Sequence, residues 1–165
     1  GIIRRLAHNV SEHVQETLIE TYAAHYLNPN NRNMTLFTEA LPCLQRLKQQ
    51  GYWLAVATGK GRSGLDKAIA QTDTQAFWLE TACASEYPSK PAPDMVLALC
   101  DRLGVEPEEA IVVGDTTHDL EMAANAKIRA IAVTTGAHTA QQLSALPHAA
   151  MLNSLAELPD VLETL

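Results

Sequence analysis

The sequence predicts an α/β protein of three layers, with a doubly wound and mostly parallel sheet covered by helices on both faces. After Arg32, short apolar or β-branched runs alternate with helical patterns, which is typical of strands joined by crossover helices. The run at residues 110–113 is almost continuously apolar, as expected of a strand buried on both faces. Gly51 and Gly104 follow helical patterns, a place where glycine commonly ends a helix.

The segment before this alternation has a different pattern. Between residues 11 and 27, apolar side chains recur at helical spacing, namely Val14, Leu18, Tyr22 and Tyr26. An Asn-Pro-Asn-Asn run at residues 28–31 then ends the pattern. We predict one helix followed by a linker.

From residue 39 onward, predicted helices and strands alternate. In order they are helix 39–50, strand 52–57, helix 63–72, strand 81–84, helix 93–103, strand 110–113, helix 119–126, strand 128–133, a helix near residue 140, strand 149–152 and a C-terminal helix. Five strands connected in this way form a parallel sheet with right-handed crossovers. Ligands of such sheets lie beyond the carboxyl ends of the strands, so side chains there are the functional candidates.

Composition excludes several classes of partner. The 165 residues have the length of one domain and carry a net charge of −7, and the twelve basic residues form no dense run. We expect no nucleic-acid partner, because no basic face can neutralise a phosphate backbone. No apolar stretch approaches the roughly 20 residues that cross a bilayer, so we expect no membrane association and a cytoplasmic protein. The sequence does not indicate an oligomeric state.

Cys43, Cys83 and Cys100 lack CxxC spacing. Their odd number and their spacing argue against a disulfide framework and against a zinc site. We expect buried free thiols.

Two aspartates follow the strand at residues 110–113, in the sequence GDTTHD at residues 114–119. Asp115 comes directly after the strand and Asp119 lies in the first turn of the next helix, so one loop can aim both carboxylates at one point. Hard oxygen ligands of this kind suit Mg²⁺, which accepts one or two carboxylates and completes its shell with water and phosphate oxygens. The pattern is equally compatible with Asp115 capping the helix and Asp119 favouring its dipole.

Thr58 ends another predicted strand and is followed by Gly59. A hydroxyl at this place, with the backbone N–H groups of the following turn, can form a small anion-binding nest. An ordinary threonine at a strand end explains the same residue equally simply.

Lys90 is followed closely by two prolines, Pro91 and Pro93, which fix the backbone of this turn. An ammonium on so stiff a turn can neutralise a phosphate or an ionised nucleophile. A surface lysine before proline is also common.

A competing motif involves Gly59, Gly61 and Gly64, which match G-x-G-x-x-G between a predicted strand and a helix. Glu86 follows at about the distance of the acidic residue of dinucleotide-binding domains. This hypothesis leaves Lys90 and the aspartate pair without a role, so we rank it below a phosphate site.

The ordered set of Thr58, the Lys-Pro-Ala-Pro-Asp run at residues 90–94 and the Gly-Asp-x-x-x-Asp run at residues 114–119 resembles the haloacid-dehalogenase-like (HAD) hydrolase superfamily, in particular its phosphoglycolate-phosphatase-like members. The likeness extends from about residue 36 to the C-terminus. It implies a Rossmannoid HAD-like core at residues 34–165 and the remnant of a helical cap at residues 1–33.

The resemblance implies roles for the matching residues. Thr58 and Gly59 hold phosphoryl oxygens, Lys90 offsets the charge of nucleophile and phosphate, and Asp115 and Asp119 hold Mg²⁺. The implied reaction is hydrolysis of a small phosphorylated metabolite through an aspartyl-phosphate.

The chain departs from the family pattern in two places. Lys127 follows Ala126 where the family usually has glycine, which changes how the preceding helix ends. More seriously, the family's first motif, Asp-x-Asp-Gly-Thr on the first strand, has no counterpart, since the first aspartate of the chain is Asp66.

No earlier acid is a convincing substitute, because those at positions 12, 16, 20 and 39 lie in helical patterns and none ends a predicted strand; these are Glu12, Glu16, Glu20 and Glu39. We therefore expect a truncated chain that lacks its first strand, leaves the centre of the sheet unpaired and is inactive as a phosphatase. The alternative is a non-catalytic protein that binds phosphate or a partner through the remaining half of the site.

Overall fold

The structure is a computed structural model that describes residues 17–20, 40–134 and 139–164. The described strands are β1 (Thr17–Glu20), β2 (Trp53–Thr58), β3 (Trp78–Cys83), β4 (Ala110–Gly114), β5 (Arg129–Val133) and β6 (Ala150–Leu152). The described α-helices are α1 (Ala40–Gln49), α2 (Arg62–Thr72), α3 (Asp94–Leu103), α4 (Thr117–Asn125), α5 (Ala140–Ser144) and α6 (Leu158–Thr164). Short 3₁₀ helices lie at Gln75–Phe77, Pro107–Glu109 and Leu155–Glu157.

The six strands form one sheet in the order β3-β2-β1-β4-β5-β6, and every neighbouring pair is parallel. Helices α1, α2 and α6 pack on one face, and α3, α4 and α5 pack on the other. The strand order reverses between β1 and β4, which is where ligands bind in open sheets of this kind. The predicted three-layer, doubly wound α/β class is confirmed.

The two faces of the sheet carry side chains of different size. The face toward α1, α2 and α6 is built from large aliphatic residues, among them Leu54, Val56, Ile111, Val113, Ile131 and Val133. The face toward α3, α4 and α5 is almost entirely alanine, with Ala55, Ala57, Ala82, Ala110, Ala130 and Ala132. Small side chains let the backbones of the helices on this second face approach the sheet closely.

The centre of the sheet departs from the sequence-based prediction. Thr17–Glu20 form β1, paired with β2 on one side and β4 on the other, so the helix predicted over residues 11–27 is wrong here. The expectation of an unpaired centre is also wrong, as is the expectation that no early glutamate ends a strand, because Glu20 ends β1. The backbone groups of β2 and β4 require partners, and this requirement outweighs a local helical pattern.

The boundary between a cap and a core at residues 33 and 34 stays a prediction. Thr17–Glu20 lie in the sheet although they fall inside the range assigned to the cap, and the rest of residues 1–33 lies outside the described residues.

The remaining predicted elements are present, with bounds that differ by a few residues. The largest difference is β3, which begins at Trp78 rather than at residue 81. Its pairing with β2 skips Leu79, which bulges out and is 53% exposed. The bulge interrupts the alternation of buried and exposed residues from which a strand is recognised in a sequence.

Helix ends follow the glycines only in part. Gly51 and Gly104 adopt the left-handed conformation, with φ of 92° and 69°, as their positions predicted. After α4, Lys127 adopts the same conformation with φ of 60°. The N–H of Ile128 donates to the carbonyl of Ala123 at 2.9 Å, so α4 ends as a glycine-terminated helix does, but with a lysine in the left-handed position.

The three cysteines are buried and form no disulfide, as predicted. Burial raises the pKa of the Cys100 thiol to about 11, with smaller contributions from Glu106 and Glu109. Within the described residues, no helix has both the length and the apolar character needed to span a membrane.

Candidate functional site

The loop after β4 contains the two predicted aspartates. Asp115 and Asp119 are each 1% exposed, so both carboxylates are buried at the carboxyl edge of the sheet. The N-cap of α4 is Thr116, whose side chain accepts from the backbone N–H of Asp119. The possibility that Asp115 caps this helix is therefore wrong, whereas Asp119 does belong to the helix terminus as the third residue of a capping box.

The Asp119 carboxylate holds the loop together. Its Oδ2 accepts from the backbone N–H of Asp115 at 3.1 Å, and from the N–H and hydroxyl of Thr116 at 3.0 and 2.9 Å. Its Oδ1 accepts from Lys90 Nζ at 2.7 Å. Four hydrogen bonds on one buried carboxylate fix the place of Asp115 and leave Asp119 little freedom of its own.

Gly114 is a site residue that the sequence analysis did not identify. A Cβ atom added to it would lie 2.3 Å from Cβ and 2.8 Å from Oδ2 of Asp119. No real pair of atoms approaches so closely, so only glycine lets Asp119 reach the backbone of the loop. The available signal was a glycine at the tip of a buried strand, immediately before an acid, where close approach is a common reason for glycine.

Lys90 reaches Asp119 from the loop that precedes α3. The ion pair is buried, with the lysine side chain 15% exposed and the carboxylate 1% exposed. The N–H of Ala92 closes the turn by donating to the carbonyl of Ser89 at 3.1 Å, and the Lys90–Pro91 peptide bond within it is cis. The structure thus brings together three of the predicted residues: Lys90, Asp115 and Asp119.

Thr58 lies on the other side of β1. It is 2% exposed, and its Oγ1 accepts from the backbone N–H of Lys60 at 3.2 Å, while Gly59 is exposed. Helix α2 begins soon afterwards with Gly61 as a cap that has no side-chain hydrogen bond. The N–H of Lys60 is thus engaged by the threonine, and the N–H of Arg62, the first residue of α2, donates to Ser85 Oγ at 2.9 Å.

The strand register fixes how these residues are arranged. Glu20 of β1 is level with Val56 of β2 and with Val113 of β4. Thr58 and Asp115 each lie two residues further along, so they are level with each other. Since β1 lies between β2 and β4, the two are separated by two strand spacings, about 10 Å.

The candidate site therefore has two halves. We call Gly114, Asp115, Thr116, Asp119 and Lys90 the α4 half, and Thr58, Gly59 and Lys60 the β2 half.

The residues of the dinucleotide-binding hypothesis are engaged elsewhere. Arg62 forms an ion pair with Glu86, from Nη2 to Oε1 at 2.7 Å and from Nε to Oε2 at 3.1 Å. Hydrogen bonding from Arg62 holds the pKa of Glu86 below its usual value. A Cβ on Gly64 would meet only Lys60 Cβ, at an ordinary 3.9 Å. The acid is thus not directed at a ribose, and the third glycine is not required for close packing.

Within the described part of the chain, neither histidines nor cysteines extend the cluster of carboxylates. His118 is exposed in the first turn of α4. Among the residues that the structure describes, no group of three or more His, Cys, Asp and Glu side chains could hold a metal ion. Of the described residues, the two aspartates are the ones that could hold a cation here, together with water or ligand oxygens.

Comparison with known proteins identifies the family. The profile of the family described as haloacid dehalogenase-like hydrolase matches residues 2–133. The chain belongs to the haloacid dehalogenase-like hydrolase family. This HAD hydrolase chain is 36% identical over 125 residues to a Dickeya dadantii protein named "Probable phosphatase IndB", covering 74% of the chain and 54% of the relative. It is 31% identical over 128 residues to the phosphoglycolate phosphatase of Aquifex aeolicus, covering 73% of the chain and 58% of the relative.

The HAD hydrolase chain thus spans a little over half the length of these curated relatives. Among solved structures, a haloacid dehalogenase-like family hydrolase from Streptococcus pneumoniae has a TM-score of 0.78 at 14% identity, over 89% of this chain and 98% of that one. At that identity the likeness concerns the fold alone, and it is the fold predicted from the sequence.

Proposed function

We propose that this HAD hydrolase chain carries the Mg²⁺- and phosphate-binding part of a phosphate-monoester hydrolase that acts on a small phosphorylated metabolite. The observation that supports this most strongly is the buried ion pair of Lys90 and Asp119 beside Asp115. A fixed ammonium next to two carboxylates offers a partner for phosphate oxygens together with hard ligands for a divalent cation. Relatives named phosphatases support the same class of reaction.

The two aspartates suit Mg²⁺ to different degrees. Asp115 is a buried carboxylate held in place by its backbone, and it is our candidate for the direct ligand. Asp119 already accepts four hydrogen bonds, so it orients the loop and adds negative charge beside the metal. Its role as a second direct ligand stays a prediction and requires Lys90 to release Oδ1. Bound Mg²⁺ would polarise the phosphoryl group.

The other residues act on the phosphate. We assign the Thr58 hydroxyl and the Gly59 backbone N–H to its oxygens on the β2 side. Lys90 approaches from the α4 side, where its ammonium offsets negative charge on the phosphoryl group. With the two halves about 10 Å apart across β1, each would contact oxygens on a different side of the same phosphate.

The proposed reaction also needs a carboxylate that attacks phosphorus. The first aspartate of the chain, Asp66, lies in α2 and forms an ion pair with Arg62. We therefore expect the 165-residue chain to bind Mg²⁺ and phosphate without hydrolysing esters.

Calorimetry and an activity assay together test this proposal. Titration with MgCl₂ and inorganic phosphate should give saturable heat for the unmodified chain, and p-nitrophenyl phosphate with Mg²⁺ should not be turned over. Asp115→Asn should lose the heat of binding because the direct ligand becomes neutral. Asp101→Asn, which neutralises an exposed carboxylate of α3, is the matched control and should bind normally.

The outcomes separate the hypotheses. Turnover by the 165-residue chain would show that an unrecognised group replaces the nucleophile, and turnover only after addition of an Asp-x-Asp strand upstream would support the hydrolase. Binding without turnover in both forms would favour the non-catalytic phosphate-binding alternative. A change in NADH fluorescence on mixing would revive the dinucleotide hypothesis, although the engagement of Glu86 with Arg62 argues against it.

A further inference from the structure

We propose that Asn125 is a positioning residue for Lys90, acting through the backbone of the turn that carries the lysine. Asn125 is the last residue of α4, and its Nδ2 donates to the carbonyl of Pro91 at 2.9 Å. Pro91 follows Lys90 directly. The inference rests on the proposed function only in treating Lys90 as a working group of the site.

Helix α4 holds the lysine turn at two points. Near its N-terminus, Asp119 Oδ1 accepts from Lys90 Nζ, and at its C-terminus Asn125 binds the Pro91 carbonyl. At a rise of about 1.5 Å per residue, these two points lie about 9 Å apart along the helix axis. The turn is thus fixed against α4 at its side chain and at its backbone.

The backbone contact matters because of the nature of lysine. A lysine side chain has a flexible stem of four carbons, and ordering it costs up to about 2 kcal/mol of conformational entropy. The Lys90–Asp119 distance of 2.7 Å is kept only if the Lys90 Cα stays at the right distance from α4. The hydrogen bond inside the turn, from the Ala92 N–H to Ser89, shapes the turn without tying it to the helix. Of the hydrogen bonds described here, the one from Asn125 is the backbone tie between them.

The consequence concerns the availability of Lys90. When the turn is tied to α4, the ammonium is held in its buried pair with Asp119. Without the tie, the turn moves away from the helix for part of the time and Lys90 becomes exposed to solvent and to reagents. Removing one hydrogen bond of ordinary strength would change that exposed fraction by about fivefold.

Selective labelling of lysines tests the proposal without requiring catalysis. The 165-residue chain is treated briefly with acetic anhydride, and acetylation of Lys90 is measured by mass spectrometry relative to Lys67, which is exposed on α2. Asn125→Leu and Asn125→Asp remove the amide donor, the first with an apolar group and the second with a nearly isosteric one. We expect the ratio of Lys90 to Lys67 labelling to rise about fivefold in both.

Ser144→Ala is the matched control. It also removes an exposed hydrogen bond from the last residue of a helix to a backbone carbonyl, since Ser144 Oγ donates to Gln141 at 3.0 Å. The control should leave the labelling ratio unchanged. The melting temperature of every variant is measured as a second readout. Because Lys67 in the same sample reports general loosening, a merely structural effect of Asn125 would lower the melting temperature without raising the ratio.

Two results would overturn the proposal. One is an unchanged ratio in Asn125→Leu, and a rise in Asn125→Asp alone would then be an effect of charge. The other is an equal rise in Ser144→Ala. Failure of the Mg²⁺ and phosphate titrations, with a raised labelling ratio, would instead reject the proposed function and leave the positioning role intact.

Discussion

The α4 half of the site is held mainly by side chains, whereas the β2 half is held mainly by its backbone, including a hydrogen bond from the Ala84 N–H to the Lys60 carbonyl at 3.1 Å. In the α4 half, one buried carboxylate accepts four hydrogen bonds and packs against a glycine that no other residue can replace without displacement. In the β2 half, Thr58 binds one backbone N–H and Gly59 has open space where a side chain would be. The first half is thus tightly organised, and the second half leaves open space beside Gly59.

The lysines of the two halves should show the largest difference. Lys90→Met leaves the buried Asp119 carboxylate without its cation, and we expect the free energy of unfolding to fall by about 3 kcal/mol. Lys60→Met, in the β2 half, keeps the backbone contact to Thr58 and should change stability by less than about 0.5 kcal/mol. Urea denaturation of both variants measures this, and equal effects would contradict the difference in organisation.

The glycines provide the next comparison. Gly114→Ala places a methyl group against Asp119, and relieving the overlap should cost about 2 kcal/mol and weaken Mg²⁺ binding. The added methyl group of Gly59→Ala would meet no atom within 4 Å. The substitution should therefore be neutral, or stabilise the chain by about 0.5 kcal/mol because alanine lowers the conformational entropy of the unfolded state. Denaturation and calorimetry on the two proteins are the measurements. A tolerated Gly114→Ala would mean that the loop can shift.

The N-caps of α4 and α2 differ in the same way, because the cap residue of α4 makes a side-chain hydrogen bond and that of α2 does not. Thr116→Ala removes the side-chain cap of α4 and should cost about 1 kcal/mol. The cap of α2 is Gly61, so Gly61→Ser adds a side-chain acceptor and should gain roughly 0.3 kcal/mol. Thermal unfolding followed by circular dichroism can resolve the sign of each change, and a gain from both substitutions would be incompatible with the capping box at Thr116.

The smallest expected effect concerns the other ends of these helices. Lys127→Gly relieves a left-handed lysine after α4 and should stabilise the chain by about 1 kcal/mol at most. Asp73→Gly, after α2, should gain about half as much, because aspartate adopts the left-handed conformation more readily. Parallel denaturation curves give the difference. A loss of stability in Lys127→Gly would indicate that the lysine side chain makes a contact of its own.

The sequence could predict the features that depend on neighbouring residues, but not those that depend on distances in the folded loop. The run at residues 110–113 and the acids after it predict a buried strand with carboxylates at its tip, because both patterns are local. The placement of Lys90 and Asp119 at one edge of the sheet followed from the rule that carboxyl ends of parallel strands share one edge, whereas their ion pair was not predicted. The four bonds to Asp119 and the need for Gly114 depend on distances across a folded loop, which residue types alone do not specify.

The centre of the sheet could not be predicted for a different reason. The stripe that includes Leu18 and Tyr22 has helical spacing, and a window of sequence contains no sign that β2 and β4 require a strand between them. Edge strand β3 was shortened in the prediction because the bulge at Leu79 hides its alternation. Both errors arise where pairing between distant segments, rather than local pattern, determines the structure.

Strand β1 also determines the width of the binding site. Among the described strands, β2 and β3 do not pair with β4, β5 or β6, so the described sheet pairing that joins the two groups runs through Thr17–Glu20. Without that segment, the sheet would consist of two separate parts. Thr58 would lie on the part formed by β2 and β3, and Asp115 on the part formed by β4, β5 and β6. Any strand at this place, whether it comes from the same chain or is supplied as a separate peptide, sets the distance between Thr58 and Asp115.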